Sequence, residues 1–291
     1  MAACDPWSSR SGRGTPVIAA AFMAACRAEL EAPKPGNVHV FARGHGMEMA
    51  DFIASAEAAA PCIAAPGAKV GERILDAVEA TFAAVGQNTN LGIILLCAPM
   101  AAAAEQGGDL RAALARVLAG LDVDDAAKAF RAIARASPGG LGAAEHDVRA
   151  PACITLLQAM REAAGRDQIA AQYASGFAGV FGLGLPALHN GLRRWNDPKW
   201  ATLAACLAFL HTFPDSHIQR KYGLETALGV QKTAAEMAGR LSQSAAPETL
   251  LPALLQWDGE LKARRINPGT SADLTVATLF ADRLRNRQQL A

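Results

Sequence analysis

Aromatic residues are scarce in this chain: ten phenylalanines, four tryptophans and two tyrosines make up 5% of its 291 residues. Hydrophobic residues reach 51%, enough for a sizeable core, so that core must be built mainly from Ala, Leu, Ile and Val. A surplus of one charge is also missing. Lys and Arg number 28 against 27 Asp and Glu, giving a formal net charge of +1. No concentrated basic face is present, which argues against nucleic acid as a partner but leaves room for a small anion. None of the six cysteines (Cys4, Cys26, Cys62, Cys97, Cys153, Cys206) forms a C-x-x-C pair. Zinc-type spacing is thus absent, and reduced thiols in a cytoplasmic protein are expected.

No apolar run attains the ~20 residues of a membrane span. The longest, Leu91 to Ala104, is shorter and holds Pro99, so no membrane association is expected. Arg10 and Arg13 precede the apolar stretch Val17 to Cys26 in the manner of a signal peptide. That stretch runs directly into Arg27, Glu29 and Glu31, so residues 1–14 read as a flexible tail and 15–291 as a helical catalytic domain. Repeats of 20 to 50 residues, alternating strand patterns, and the common phosphate-loop and esterase signatures are all missing.

What is present is helix. Alanine loses no side-chain entropy in a helix, and Ala- and Leu-rich stretches dominate. The pattern predicts helices over Thr15–Glu31 and near 48–60, 68–86, 90–106, 109–119, 123–135, 151–164, 166–178, 198–213, 217–242 and 247–263. A last one runs from Pro268-Gly269 to about Asn286. Breaks near 140 and 190 read as internal loops of a single-domain, all-α multi-helix bundle. Polar residues gather at loops and helix N-termini, where a site is expected.

Six clusters could carry chemistry. In Pro33-Lys34-Pro35-Gly36, two prolines stiffen the backbone around Lys34, and Gly36 permits close approach of another group. The segment is either a phosphate contact or a helix stop with a solvated lysine. After His45, Glu48 and Asp51 share a helix start, as dipole partners or as groups for a metal or a proton. Asn88, Thr89 and Asn90 precede an apolar helix, as caps or as an anion site. Glu72, Asp76 and Glu79 form a stripe that is solvated, or a cation site if it points inward. Glu145-His146-Asp147 sits in a polar segment with no assigned role. Asp215 looks like an N-cap, with His217 and Arg220 beside it, and Arg220 suits a phosphate. Finally, Thr270 and Asp273 have capping-box spacing, or else Gly269 opens a phosphate-facing helix start with Asp273 holding a divalent ion.

Taken in order, Pro33-Lys34-Pro35-Gly36, Gly44-His45, Asn88-Thr89, the Asp215 segment and Asn267-Pro268-Gly269-Thr270-Ser271-Ala272-Asp273-Leu274 resemble the triphosphoribosyl-dephospho-CoA synthase family. The resemblance implies an all-helical transferase that joins ATP to 3′-dephospho-CoA with loss of adenine. It implies ATP and a phosphorylated acceptor as small-molecule partners, Mg²⁺ as cofactor, and a homodimer as the assembly to consider. Lys34, Gly36, His45, Asn88, Thr89, Asn90, Arg220, Gly269 and Ser271 would then bind substrate. Asp215, Asp273, His217 and Glu48 would be catalytic, and Asp215, Asp273 and Glu79 would hold the metal. The chain also departs from the family. Asn88-Thr89-Asn90-Leu91-Gly92 stands where members usually read Asn-Thr-His-Lys-Gly, and Asp215-Ser216-His217 stands for Asp-Thr-Asn. These departures keep open another cofactor-forming reaction on a different phosphorylated substrate. A helical binding protein without turnover is the reading from a different class.

Overall fold

A computed structural model describes residues 15–41, 47–137 and 148–288 of the chain. The expected tail over 1–14, His45 and the Glu145-His146-Asp147 triplet lie outside the described residues. Among those described there is no strand. The helices run in order α1 (Thr15–Glu31), α2 (Met49–Ile63), α3 (Val70–Val85), α4 (Leu91–Gln106), α5 (Leu110–Ala119), α6 (Val123–Ala136) and α7 (Leu156–Ala163). They continue as α8 (Gln168–Ser175), α9 (Leu185–Trp195), α10 (Pro198–Thr212), α11 (Ser216–Tyr222), α12 (Leu224–Gln243), α13 (Leu251–Ala263) and α14 (Gly269–Gln288).

α4 is apolar all round, and it is buried from Leu91 through Ala101. A helix without a polar face belongs inside a bundle. It packs on α14 and α5, and α14 in turn packs on α1 and α10. Phe22 of α1 meets Phe280 of α14 edge-on, with ring centroids 6.0 Å apart. α10 is shared by two apolar clusters. Ala201, Ala205 and Phe209 face the large core, while Trp200, Leu203 and Leu207 face a second cluster with Val230 and Trp257. No single helix among the described residues is long and apolar enough to cross a membrane.

Three boundaries differ from the sequence expectation; the helix expected near 151–164 begins only at Leu156, after the cap Thr155. The break placed near 190 is instead the middle of α9, preceded by a π-helical segment Val180–Gly184. Gly179, Gly182, Gly184 and Pro186 read locally as loop, but burial of Val180, Leu185 and Leu188 against neighbouring helices outweighs that preference. The helix expected over 217–242 is split at Gly223, where φ is 84°, into α11 and α12.

Candidate active site

Four helix starts converge. The N-terminal ends of α4, α8, α11 and α14 line one cavity of about 870 Å³, which extends between α6 and α7. Each start leaves backbone N–H groups without helical partners, so the local chemistry depends on which side chains satisfy them.

At α4 the three polar residues divide the work. The Asn88 side-chain oxygen accepts from the Leu91 N–H at 3.2 Å. The Thr89 hydroxyl lies 2.6 Å from that of Ser55, and the Asn90 amide donates to the Ser55 carbonyl at 3.4 Å, which ties α4 to α2. All three line the cavity.

At α11 and α14 a single carboxylate joins two helices. One oxygen of Asp215 accepts from the N–H groups of His217 and Ile218, at 3.0 and 3.2 Å. Its other oxygen accepts from the N–H and the hydroxyl of Ser271, both at 2.8 Å. Burial pushes the Asp215 carboxyl up, against the pull of these four bonds. The Thr270 hydroxyl adds contacts to Ser216 and to the His217 N–H. Asp215 and Ser271 therefore sit behind the cavity wall, whereas His217, Arg220 and Gly269 lie on it.

The Lys34 segment forms an elbow that locks onto the start of α14. Gly36 has φ of 80°, and its N–H donates to Asp258 at 2.8 Å. A side chain there would come within 2.7 Å of the Pro268 ring. Asn37 donates to the Pro268 carbonyl at 3.3 Å. The two specific motifs, distant in sequence, are thus one interlocked structure. Lys34, expected at a phosphate, does not line the cavity. It is 0% exposed, 2.8 Å from Glu29, and it also donates to the Val38 carbonyl. Glu29 itself reaches the cavity. Burial pushes the Glu29 carboxyl upward, and the Lys34 ammonium pulls it back.

Asp273 has a different environment. It lies just past the first turn of α14, facing the cavity, and makes no hydrogen bond or ion pair among the described residues. Its carboxylate lies over Gly92 of α4, where an added Cβ would stand 2.1 Å from an oxygen. Only glycine at position 92 admits this arrangement. Burial pushes the Asp273 carboxyl well above the usual range, helped by the nearby Asp215, Glu29 and Asp167 and opposed by Arg220.

Arg220 pairs with Asp167, the N-cap of α8, at 2.5 Å, while its Nε is buried without a partner. The side-chain oxygen of Asn267, also on the wall, is likewise buried and unpartnered. Arg149, Arg166 and Lys221 add exposed cations at the rim. Sequence reasoning missed Glu29, Arg149, Arg166, Asp167 and Asn267 as cavity residues. Asp167 and Asn267 adjoin helix starts, a signal that could have found them. Glu29 looked like one more charge on a helix face.

Two expectations are corrected by position. Glu48 is exposed at the start of α2, where its N–H donates to Asp51 at 2.8 Å; it is not on the cavity wall, although its neighbours Met47 and Phe52 are. Glu79 points outward from α3 and pairs with Arg135 at 3.4 Å, so it does not join Asp215 and Asp273. Among the described residues, no three His, Cys, Asp or Glu side chains are grouped to hold a metal.

The family model for CitG, ATP:dephospho-CoA triphosphoribosyl transferase, matches residues 15–291. The chain belongs to this family. A 2-(5''-triphosphoribosyl)-3'-dephosphocoenzyme-A synthase of Stutzerimonas stutzeri strain A1501 is 36% identical over 114 residues, 39% of this chain and 38% of that protein. One from Pectobacterium atrosepticum is 33% identical over 106 residues, 36% of this chain and 33% of that protein. These alignments therefore span little more than a third of the curated relatives. A crystal structure from Archaeoglobus fulgidus, assigned to the triphosphoribosyl-dephospho-CoA synthases, superposes with a TM-score of 0.61 at 25% identity. It covers 79% of this chain and 97% of that one. Leu91, in the Asn88-Thr89-Asn90-Leu91-Gly92 segment, lines the cavity. Among the described residues the cations on the wall are Arg149, Arg166, Arg220 and Lys221.

Proposed function

We propose that this chain transfers the triphosphoribosyl group of ATP to the 2′-hydroxyl of 3′-dephospho-CoA and releases adenine. One observation carries the reading beyond family membership: an unpartnered carboxylate, Asp273, shares a cavity with Arg220 and a cationic rim. The reaction needs that combination. The acceptor oxygen bonds to C1′ of ATP as the C1′–N bond to adenine breaks, and that bond's electron pair leaves with the base. Positive charge grows on the sugar; it favours the ionised form of the cavity-facing Asp273 carboxyl, and that carboxylate in turn stabilises the charge. Arg220, with its free Nε–H, and the rim arginines hold the triphosphate. His217 lines the cavity and is suited to take the hydroxyl proton, and the same proton, passed on to the departing adenine nitrogen, balances the exchange. Asp215 acts indirectly, by fixing the backbone that carries His217.

Of the expected metal ligands, only Asp273 faces the cavity with free lone pairs. A single carboxylate fits a Mg²⁺ carried in on a triphosphate, since that ion is commonly held by one or two carboxylates together with phosphate oxygens. Bound there, Mg²⁺ would neutralise phosphate charge. The ATP-dependent reaction and the buried thiols of Cys26, Cys97 and Cys206 support a cytoplasmic setting. A second reading keeps the fold and changes the acceptor, and Leu91 in the cavity wall favours it.

The test is chromatographic detection of adenine from ATP, with Mg²⁺ and dephospho-CoA. Turnover dependent on dephospho-CoA supports the proposal. Adenine release only with another phosphorylated acceptor supports the second reading, and none across a panel of acceptors ends both.

A further inference from the structure

The cavity has a second half that the chemistry above does not use. α7 carries one apolar stripe, Leu156, Ala159, Met160 and Ala163, spaced as neighbours on a helix face. All four line the cavity, and Ala159 and Ala163 remain partly accessible there. Opposite them, α6 presents Phe130 and Ile133 to the same space. Leu156 and Met160 are buried in the core and Ala163 packs against it, so what stays open to the cavity is Ala159 and one side of Ala163.

This lobe offers no side-chain hydrogen-bonding group on those six residues. A purine edge buried among them would leave its ring nitrogens and amino group unsatisfied, a cost of the kind buried polar groups avoid. The amide-bearing wall of Asn88, Asn90 and Asn267 is chemically suited to a base instead. None of the six offers a donor to a phosphate either; the polar cavity residues at the ends of the same helices, Ser137 and Glu162, lie beside them. Two substrates must share the space, and one of them carries a long uncharged arm with a dimethyl-substituted carbon and methylene units.

We infer that the α6–α7 lobe is the acceptor subsite, holding the apolar part of the pantetheine arm, with Ala159 and Ala163 kept small to admit it. The inference rests on the proposed acceptor and adds where that acceptor lies. It makes Ala159 a specificity-determining position rather than a packing residue.

The experiment measures binding by calorimetry, separately for 4′-phosphopantetheine, which has the arm but no nucleoside, and for ATP. Wild type is compared with Ala159→Trp and with the milder Ala163→Leu, each checked for a cooperative thermal melt. The expected result is a loss of about tenfold or more in affinity for 4′-phosphopantetheine, the scale for two methylene-sized groups losing burial, with ATP affinity held within about twofold. An equal or larger loss for ATP would make the lobe the base site and overturn the inference. So would unchanged arm affinity in both variants, or no arm binding by wild type. Because this readout needs no turnover, its failure is separable from failure of the reaction. Wild type that binds the arm as expected yet releases no adenine with any acceptor refutes the transferase reading, and the lobe is then a site for the arm without a role as acceptor subsite.

Discussion

Asp215 and Asp273 belong to the same junction, where α11 and α14 begin, but they differ in every contact. Asp215 is saturated by four donors, three of them backbone N–H groups and one the Ser271 hydroxyl. Asp273, one turn further in, has no donor among the described residues and rests its carboxylate directly on Gly92 at the cavity wall. The same contrast separates Lys34, whose charge is spent on Glu29, from Arg220, which keeps a free Nε. A charged group that is fully partnered holds helices together, and one that is left unpartnered in a cavity is available to a ligand. The contrast makes separable demands on stability and on activity.

The largest expected effect is at the buried pair. Lys34→Met leaves Glu29 as an uncompensated charge and should cost about 3–5 kcal/mol in chemical denaturation. Adding Glu29→Gln should restore much of it. If Lys34→Met instead keeps its stability and loses ATP affinity, Lys34 is a phosphate ligand after all. Asp215→Ala strips a cap and strands several buried donors, so a loss of at least about 3 kcal/mol is expected.

Asp273→Asn should act the other way. Turnover should fall about 100-fold, the scale for losing a charge that stabilises a transition state, with no loss of stability at neutral pH. The sign of its pH dependence follows from the raised folded-state pKa. The folded chain holds this proton to higher pH than the unfolded chain does. Its contribution is thus complete below the ordinary carboxylate value of about 4 and lost as pH rises through the folded value. The Asn variant should show a flatter stability profile from pH 4 upward, and an unchanged slope would contradict the burial argument.

Gly36→Ala forces a side chain into a positive-φ position against Pro268 and should cost about 2 kcal/mol, read as a lower thermal midpoint. The smallest effect is expected for Glu79→Ala. Its exposed pair with Arg135 should contribute within about 0.5 kcal/mol, and the Mg²⁺ dependence of turnover should not move.

Much of the helical framework was legible before the structure. α4 announced itself by its long apolar run, and α10 was expected near 198–213 and spans Pro198–Thr212. α9 was not legible, because glycines and Pro186 signal a loop locally, and only the apolar packing of Leu185 and Leu188 overrides them. The cavity residues Asn88, Asn90, His217 and Asp273 could be found because polar groups between apolar helices stand out. Arg149 and Arg166 could not, since a cation on a polar surface has no signature until a cavity opens beside it.

Alanine-rich composition and the placement of polar residues at helix starts were enough to specify an all-helical chain and most of its turns, because helix propensity and chain-breaking are local properties. Which carboxylate is saturated, which lysine is neutralised and which glycine faces a side chain were decided only by packing. Hydrogen-bond partners such as Ser271 for Asp215, or Glu29 for Lys34, are fixed by where helices meet, and that meeting is set by the whole core.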